Sequence, residues 1–333
     1  MNKNGLEIHY MQSDYINIFP ELFYDVEQDE EMYMLVKESC KYLGSIIVKY
    51  GELVNELFYK ENNGDGFVDF VIVLFLRKIM EHLDAISILV EKSSFTQAKI
   101  ILRTLLESVV GLRFILKEDT EKRAAAYYLY HHYEEIEKMR YFDESMSDGK
   151  MYKSILGEER FNEIAEKCKK KKSAFERLIQ SKSIFVEIEN LRIKRIEHKQ
   201  HQYPNRKPYI TWFEICSNTN SIKGMMKALG WEKYYEALYG GMSMEVHAYN
   251  ATTEMTLNDD GLHLKTLRNP LGGYDTIELA GTFALSGLID IYDYLNDGEE
   301  EKEEFRVFYK EYVKKGNELK VKYEELLSEG KYR

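Results

Sequence analysis

Cysteine is scarce in this 333-residue sequence, and the three that occur (Cys40, Cys168 and Cys216) lie far apart. No two of them have the Cys-x-x-Cys spacing of a zinc site, and an odd number does not suit a disulfide framework. The chain also has only 4 prolines and 20 glycines, and such sparse punctuation favours long helices over many short strands. The composition therefore predicts a mostly helical protein without a disulfide scaffold or a cysteine metal site.

Long apolar runs are missing as well. The longest, FVIVLFL, is far shorter than the roughly 20 residues that a membrane-spanning helix needs. The N-terminal stretch MNKNGLEIHYMQSDYINIF lacks the basic-then-apolar order of a signal peptide. A net charge of −11 argues against a protein that coats nucleic acid. We therefore expect a soluble cytoplasmic protein with no membrane partner.

Apolar periodicity and turn signals divide the first half of the chain into long helices. KENNGDG ends a first helix at about residues 30–59, and KSSF separates two helices predicted at about 67–91 and 96–116. Asp119 and Thr120 are placed to cap a fourth. Short connections are typical of antiparallel neighbours in a bundle. The predicted fold class is all-α, a multi-helix bundle with long antiparallel helices.

The second half of the chain is predicted to be helical too, with one long loop. We expect a helix at about 231–255, a loop through LNDDGLHLKTLRNPLGGYD, an apolar core helix at 276–295 and a solvated, charged terminal helix. The domain prediction has three parts: an N-terminal helical lead-in (1–64), a central helical bundle domain (65–296) and a charged C-terminal helix (297–333).

Positive charge concentrates in residues 150–207. This segment holds sixteen Lys or Arg against eight Glu, so it carries about +8 whereas the remainder carries about −19. An exposed pair of charged helices that ends in a proline-bounded loop would explain the pattern. The alternative is a basic arm that contacts RNA or DNA phosphates. The candidate nucleic-acid-binding residues are Arg192, Arg195, His198 and His201.

Two Arg-x-x-x-Glu pairs lie inside the two most apolar helices: Arg77 with Glu81, and Arg103 with Glu107. Each pair shares one helix face, but Arg before Glu is the less favourable order for helix stabilisation. The apolar neighbours predict partial burial, and buried charges need partners because desolvation is costly. We expect reciprocal pairing of Arg77 with Glu107 and of Arg103 with Glu81, either as a structural network or as a functional site.

A later helix carries polar residues at four-residue spacing, and we expect this stripe to face the two Arg-x-x-x-Glu pairs. Its members are Tyr235, Tyr239, Ser243 and His247. Gly240 and Gly241 interrupt that helix at a cost of roughly 1 kcal/mol each, so we expect another backbone or a ligand to approach closely there. His247 could serve acid–base chemistry or be a hydrogen-bonded interior histidine. Without a G-x-S-x-G elbow or a partner Asp, Ser243 is a poor candidate for a nucleophile.

Signals for metals and cofactors are weak. The sequence has no His-Glu-x-x-His, Walker A or Rossmann glycine pattern, and NPLGGYD is too short to claim as a phosphate loop. His131 and Glu135 are better explained as surface residues than as metal ligands. We predict no cofactor and no metal.

Four stretches together resemble a known family: RKIMEHLDAISILVEKSSFTQAKIILRTLLES, RAAAYYLYHHYEE, WFEICSNTNSIKGMMKALG and YYEALYGGMSMEVHAYN. The family is bacterial and helical, is known only as domain of unknown function 5677, and the resemblance covers about residues 65–260. Its Arg-x-x-x-Glu, tyrosine and Ser-x-x-x-His motifs match Arg103, Glu107, Tyr239, Ser243 and His247. The resemblance implies a helical fold and no established activity.

A more distant similarity is to HEPN domains, helical bundles of bacterial toxins, abortive-infection proteins and CRISPR-associated ribonucleases. Those nucleases carry Arg-x(4–6)-His at a dimer cleft. Three spacings match: Arg77 to His82, Arg192 to His198, and Arg195 to His201. The similarity implies an HEPN-like core and a homo-oligomer. It also implies metal-independent RNA cleavage, in which arginine stabilises phosphate charge and histidine moves protons.

Two functions from different classes are therefore expected. The first is an HEPN-like effector or toxin of a bacterial defence system that cleaves RNA. Its catalytic residues would be His247, Arg103, Glu107, Arg77, Glu81 and Ser243. The second is a non-catalytic helical sensor or adaptor that binds a protein or nucleotide partner.

Overall fold

The structure, a computed structural model, describes residues 23–60, 66–246, 251–258, 261–268, 270, 273–295 and 298–328. The long helices are α1 (Glu30–Lys60), α2 (Phe67–Glu91), α3 (Phe95–Lys117), α4 (Thr120–Met139), α6 (Glu158–Gln180), α7 (Ser183–Gln202), α12 (Gly273–Leu295) and α13 (Glu299–Ser328). The short ones are α5 (Ser147–Leu156), α8 (Trp212–Cys216), α9 (Ile222–Ala228), α10 (Glu232–Tyr234) and α11 (Gly240–Val246). The predicted all-α class is confirmed.

The chain forms two compact units. The first consists of residues 1–56, 75–113 and 231–333, and the second of residues 57–74 and 114–230. The boundaries fall inside α1, α2 and α3, so each of these helices contributes to both units. The three-part domain division drawn from the sequence stays a prediction.

In the first unit, α1 and α2 run antiparallel. Lys37 near the start of α1 pairs with Glu91 at the end of α2, with 2.6 Å between Nζ and Oε1. One turn further along α1, the Cys40 thiol donates to the Ser87 carbonyl at 3.5 Å. Short turns between consecutive long helices favour this arrangement.

Helix α13 also packs into the first unit, so the expectation of a solvated terminal helix is wrong on one face. Its buried residues include Phe305, Tyr312, Leu319 and Leu326. They recur every seven residues between charged neighbours, which places them in one stripe along the helix. The ring of Tyr312 stacks on that of Tyr42 in α1, with 3.9 Å between the ring centroids. The high charge of the segment concealed the stripe.

Glycines of α12 allow α1 to approach closely. A Cβ atom at Gly287 would lie 2.5 Å from the hydroxyl oxygen of Tyr50, which donates a hydrogen bond to the Ala284 carbonyl at 2.7 Å. At Gly281 the same atom would lie 2.7 Å from the hydroxyl of Tyr312. These distances are shorter than van der Waals contact, so the tyrosines of α1 and α13 require glycine on α12.

A pair of antiparallel strands, β1 (Met255–Asn258) and β2 (Gly261–Leu264), lies where the sequence predicted the end of a helix and a loop. Those two expectations are wrong for residues 255–258 and 261–264. Apolar residues alternate with polar ones in both strands, which is the two-residue period of a strand. The period was hidden because each strand has only four residues.

The second unit is built around α4. A buried cluster consists of Ala125, Ala126, Leu129, Phe175, Phe185, Ile188, Ile210 and Ile215. These residues come from α4, α6, α7, α8 and the segment before α8, so the charged helices of the basic segment bury an apolar face. The predicted charged helix pair is confirmed, with α6 and α7 amphipathic rather than exposed on all sides.

Candidate functional site

Arg103, in the middle of α3, takes part in a ring of hydrogen bonds. Its Nε donates to Glu107 Oε1 at 3.1 Å and its Nη2 donates to the Tyr239 hydroxyl at 2.8 Å. That hydroxyl donates in turn to Glu107 Oε1 at 2.7 Å and closes the ring. Arg103 Nη1 also donates to Ser243 Oγ at 3.3 Å. We call Arg103, Glu107, Tyr239 and Ser243 the Arg103 cluster.

Local helix geometry positions the two halves of the cluster. Arg103 and Glu107 are one turn apart on α3, so their side chains share a face. Tyr239 is the last residue of a π-helical turn, Tyr235–Tyr239, and Ser243 lies one turn further along in α11. Turns of this kind often occur at functional sites. The predicted stripe is confirmed as far as Ser243, and Tyr235 stacks on Tyr239 with 4.8 Å between centroids.

The cluster is mostly shielded from solvent but not sealed. The side chain of Arg103 is 19% exposed and that of Glu107 is 34% exposed. Burial works against the charge of Arg103, but the contacts with Tyr239 and Glu107 outweigh it and raise the pKa of the arginine. Burial, and then the hydrogen bond to Glu107, raises the pKa of Tyr239 to about 12. At neutral pH the ring therefore contains a charged guanidinium and a protonated tyrosine.

The geometry leaves the cluster able to bind an anion. A guanidinium has five N–H donors in a rigid planar fork. Three of them are engaged by Glu107, Tyr239 and Ser243. Counted over the described residues, two donors are left for a ligand oxygen, and the existing bonds fix their direction. Such fixed donors suit a phosphate or carboxylate group.

Arg77 and Glu81 do not join this cluster in the way that the sequence predicted. Each pairs with the other along α2, with 3.3 Å between Arg77 Nε and Glu81 Oε1, and their side chains are 76% and 49% exposed. Hydrogen bonds from Lys78 first and then Arg77 lower the pKa of Glu81. The predicted reciprocal pairing is therefore wrong, because spacing of four satisfies both arginines within their own helices.

Another backbone or a ligand was expected to approach Gly240 and Gly241 closely. For a backbone this expectation is wrong among the described residues, and for a ligand it stays a prediction. A Cβ atom built at either position would have no other atom within 4 Å. Close approaches occur at glycines of other helices, among them Gly281 and Gly287 of α12 and Gly316 of α13. The two glycines in this segment are therefore not required by a neighbouring backbone or side chain in the described part of the chain.

His247 lies outside the described residues. It follows Ser243 by four positions in the sequence. As a candidate proton-transfer residue it stays a prediction.

His82, on α2, lies near enough to the Arg103 cluster for the Glu107 carboxylate to act on its pKa. This side chain is half-buried on α2. Burial, followed by Lys78, lowers its pKa, while Glu81 and Glu107 act in the opposite direction. The sequence contains a signal for this position. Because a short turn at 92–94 joins α2 to α3, residues equally far from the turn lie at the same level, and His82 is level with the stretch between Arg103 and Glu107.

Arg192, a candidate phosphate contact, is held inside the second unit. Its Nε and Nη2 donate to the two carboxylate oxygens of Glu189 at 3.0 and 3.1 Å. Its guanidinium carbon lies 3.9 Å from the centre of the Tyr133 ring, whose hydroxyl donates to Glu189. We call Tyr133, Glu189 and Arg192 the Arg192 cluster. Burial opposes the charge of Glu189, but hydrogen bonds from Arg192 and Tyr133 outweigh it and lower its pKa.

The other candidate nucleic-acid contacts lie further along α7. Arg195 donates from Nη2 to the Ser217 carbonyl at 3.1 Å and to Asn218 Oδ1 at 3.3 Å. His198 and His201 are exposed. The structure thus leaves the histidines accessible and engages both arginines in contacts within the unit.

The described residues contain neither a metal-binding group of side chains nor a helix suited to a membrane. No group of three or more His, Cys, Asp or Glu side chains in this part of the chain is arranged to hold a metal ion. No described helix has the length and apolar character needed to cross a membrane.

Residues 69–263, more than half of the chain, match the model of a family of unknown function, DUF5677. The chain belongs to the DUF5677 family. The matched range includes both halves of the Arg103 cluster, which are separated by 136 residues between Arg103 and Tyr239. The family resemblance seen in the sequence is confirmed, and the HEPN similarity stays a prediction. No curated protein and no solved structure gave a significant match to this DUF5677 protein.

Proposed function

We propose that this DUF5677 protein is an HEPN-like effector of a bacterial defence system that cleaves RNA at the Arg103 cluster without a metal ion. The observation that carries the proposal is the fixed, mostly buried Arg103 with two N–H donors left. A guanidinium held in this way can bind a phosphate oxygen without reorganising during the reaction. Arg103 lies in the family's matched range and donates to Ser243, which precedes His247 by four residues in sequence, and this supports a shared functional role.

The proposed reaction is an attack of an RNA 2′-hydroxyl on the neighbouring phosphorus. The hydroxyl gives its proton to a base, a new P–O bond forms, and the 5′-oxygen leaves with a proton from an acid. His247 would move these protons, since imidazole does so near neutral pH. Arg103 would stabilise the added charge on the phosphate. Glu107 and Tyr239 would act as positioning residues because they fix the guanidinium.

The proposed setting is a cytoplasmic homo-oligomer with RNA as its substrate. Exposed His198 and His201 on the basic α7 could contact RNA phosphates, together with the lysines around them. A protein of the same defence or toxin system is the proposed macromolecular partner.

A second function is supported by a different feature of the same cluster. Glu107 neutralises Arg103, and Tyr239 bridges the two, so the ring is complete without a ligand. A closed, neutral network of this kind fits a non-catalytic sensor or adaptor that binds a protein or nucleotide partner. In that case the ring would stabilise the packing of α3 against the Tyr235–Val246 segment.

The test is to incubate total cellular RNA with purified wild type, His247→Ala and Arg103→Met, first in EDTA and then with magnesium or manganese. We expect wild type to cleave RNA in EDTA and each variant to lose about 100-fold or more of that rate. Arg306→Met is the matched control, because Arg306 is an exposed arginine whose ion-pair partner among the described residues is Glu303 on the same helix, α13.

Thermal melts of each variant accompany the cleavage assay. Loss of cleavage in a folded His247→Ala protein, with full activity in Arg306→Met, would support the ribonuclease. No cleavage by wild type under any condition would overturn it. A large drop in the melting temperature of His247→Ala would mean that the histidine is structural.

A further inference from the structure

A groove of about 530 Å³ lies on the second unit, between the end of α4, residues 140–144 and α6. Pockets for small ligands have volumes of roughly 300–1,000 Å³, so the groove is large enough for one. All of its lining residues belong to the second unit. It therefore contains no residue of the Arg103 cluster.

The floor of the groove is apolar. It is formed by Ile136, Met139, Phe142, Phe161 and Ala165. Phe161 is 1% exposed, whereas the other four are half-buried. Phe142 and Phe161 have ring centroids 6.1 Å apart, so buried Phe161 supports the ring of Phe142, which is the aromatic surface that a ring-shaped ligand can contact.

The acidic groups on the rim all have partners within the unit. Asp143 accepts hydrogen bonds from the Ser145 amide and hydroxyl, Glu144 pairs with Lys153 at 3.0 Å, and Glu166 pairs with Lys169 at 2.7 Å. Arg140 pairs with Glu137 at 3.1 Å. Glu144 and Glu166 are therefore paired with lysines before any ligand arrives, and Asp143 accepts its hydrogen bonds from Ser145.

The donors that are left are Lys172 and Asn162. Lys172 is one cause of the lowered pKa of Asp143, after the hydrogen bonds from Ser145, but among the described residues it has no ion pair within 4.0 Å. Asn162 has no hydrogen-bond partner in the same part of the chain. Both can donate to an anionic oxygen at the rim.

We propose that this groove binds a small aromatic carboxylate, with the ring on the apolar floor and the carboxylate at Lys172 and Asn162. Charge complementarity selects the anion, because Lys172 and Asn162 have donors free and the rim carboxylates already accept hydrogen bonds within the unit. Shape and polarity select the ring, because the floor offers the half-buried side chains of Phe142, Met139 and Ile136. The site is independent of the proposed ribonuclease activity.

Cys168 lines the groove and reports on its occupancy. The test treats the whole wild-type chain with a maleimide and follows labelling of each cysteine by peptide mapping, with and without naphthylacetate at about 1 mM. We expect the probe to slow labelling of Cys168 about fivefold or more and to leave Cys40 and Cys216 unchanged. Naphthylacetamide, the neutral analogue of the same shape, should protect much less.

Two lysine variants separate the groove from general charge effects. Lys172→Met should weaken naphthylacetate binding about fivefold. Lys170→Met is the matched control, because Lys170 is exposed on the same helix but does not line the groove, and binding should stay within about twofold of wild type.

Three results would overturn the proposal. One is the absence of Cys168 protection in the folded wild-type protein at about 1 mM probe. Another is equal protection by the neutral analogue, which would mean that the carboxylate makes no specific contact. The third is equal weakening in Lys172→Met and Lys170→Met, which would mean non-specific attraction to the basic helix.

Discussion

The Arg103 cluster and the Arg192 cluster contain the same three side-chain types, each within its own unit, but they differ in geometry. In the Arg192 cluster the glutamate precedes the arginine by three residues and accepts two parallel hydrogen bonds. In the Arg103 cluster the glutamate follows the arginine by four residues and accepts one hydrogen bond from the guanidinium, donated by Nε. The aromatic ring is also nearer to Arg192, at 3.9 Å, than to Arg103, at 4.7 Å.

These differences separate a structural contact from a candidate site. A bidentate pair stacked on a ring uses one edge and one face of the guanidinium, so Arg192 is held rigidly against Glu189 and Tyr133. Arg103 makes single bonds to three groups, and one of them, Ser243, is a hydroxyl that a ligand could replace or share. The same residue types therefore form a rigid structural contact in the second unit and an adaptable polar site in the first.

The largest expected effect is on the rate of RNA cleavage, and it tests whether the tyrosines of the two clusters differ in role. Tyr239→Phe removes the hydroxyl that bridges Arg103 and Glu107, so we expect RNA cleavage to fall about 10- to 100-fold. Tyr133→Phe removes the equivalent hydroxyl in the other unit and should leave cleavage within about twofold of wild type. The measurement is the initial rate of RNA cleavage by each folded variant. Equal losses in both would show that the two clusters do not differ in role.

A smaller effect is expected on the free energy of unfolding. Glu189→Gln should lower the free energy of unfolding by about 2 kcal/mol, because two charge-assisted bonds to a mostly buried arginine are weakened. Glu107→Gln should cost roughly 1 kcal/mol, since one such bond is weakened at a more exposed carboxylate. Urea unfolding of both variants provides the measurement.

Glu81→Gln is the control for the two unfolding measurements on Glu189→Gln and Glu107→Gln. The Arg77–Glu81 pair has the same spacing as Arg103–Glu107 but is exposed, so we expect no measurable change. If Glu107→Gln behaved like Glu81→Gln, the burial assigned to the Arg103 cluster would be wrong. A larger loss for Glu107→Gln than for Glu189→Gln would reverse the comparison.

The smallest effect is a pH dependence at His82. The groups that act on it are Lys78 and Glu81 on its own helix and Glu107 on α3. Burial holds the folded-state pKa below 6.5, so as the pH falls through 6.5 the unfolded chain takes up a proton that the folded chain resists. Stability is therefore lost as the pH falls, and His82→Gln should lose less of it than wild type does.

Unfolding free energies at several pH values between about 7.5 and 5.5 test this expectation. His131→Gln, a change at an exposed histidine, serves as the control and should follow the wild-type curve. A His82→Gln curve parallel to that of wild type would contradict the burial of His82.

Much of the fold could be predicted from local sequence. The predicted helix at 67–91 matches α2, and the helix predicted at 96–116 differs from α3 (Phe95–Lys117) by one residue at each end. Apolar periodicity and turn residues decide these limits, and both are local properties. The four-residue strands were missed because a period of two is hard to detect over so short a stretch.

The candidate site was predictable only in part. The resemblance to DUF5677 named the residues of the Arg103 cluster, but the pairing inferred from burial was wrong. An arginine with a glutamate four residues away can bond within its helix or across to another, and sequence spacing allows both. The position of His82 depends on the register between α2 and α3, which the pattern of either helix alone does not contain.

The sequence by itself determined the helices, the amphipathic faces and the residues that could form a polar cluster, because each follows from the spacing of a few neighbouring side chains. The tertiary structure decided which pair became the cluster. Arg103 is covered by Tyr239 and Ser243, more than 130 residues later, whereas Arg77 on a helix of the same character stays exposed. The physical reason is that burial and hydrogen-bond partners are properties of the packed chain, and they set the strength of a charge pair.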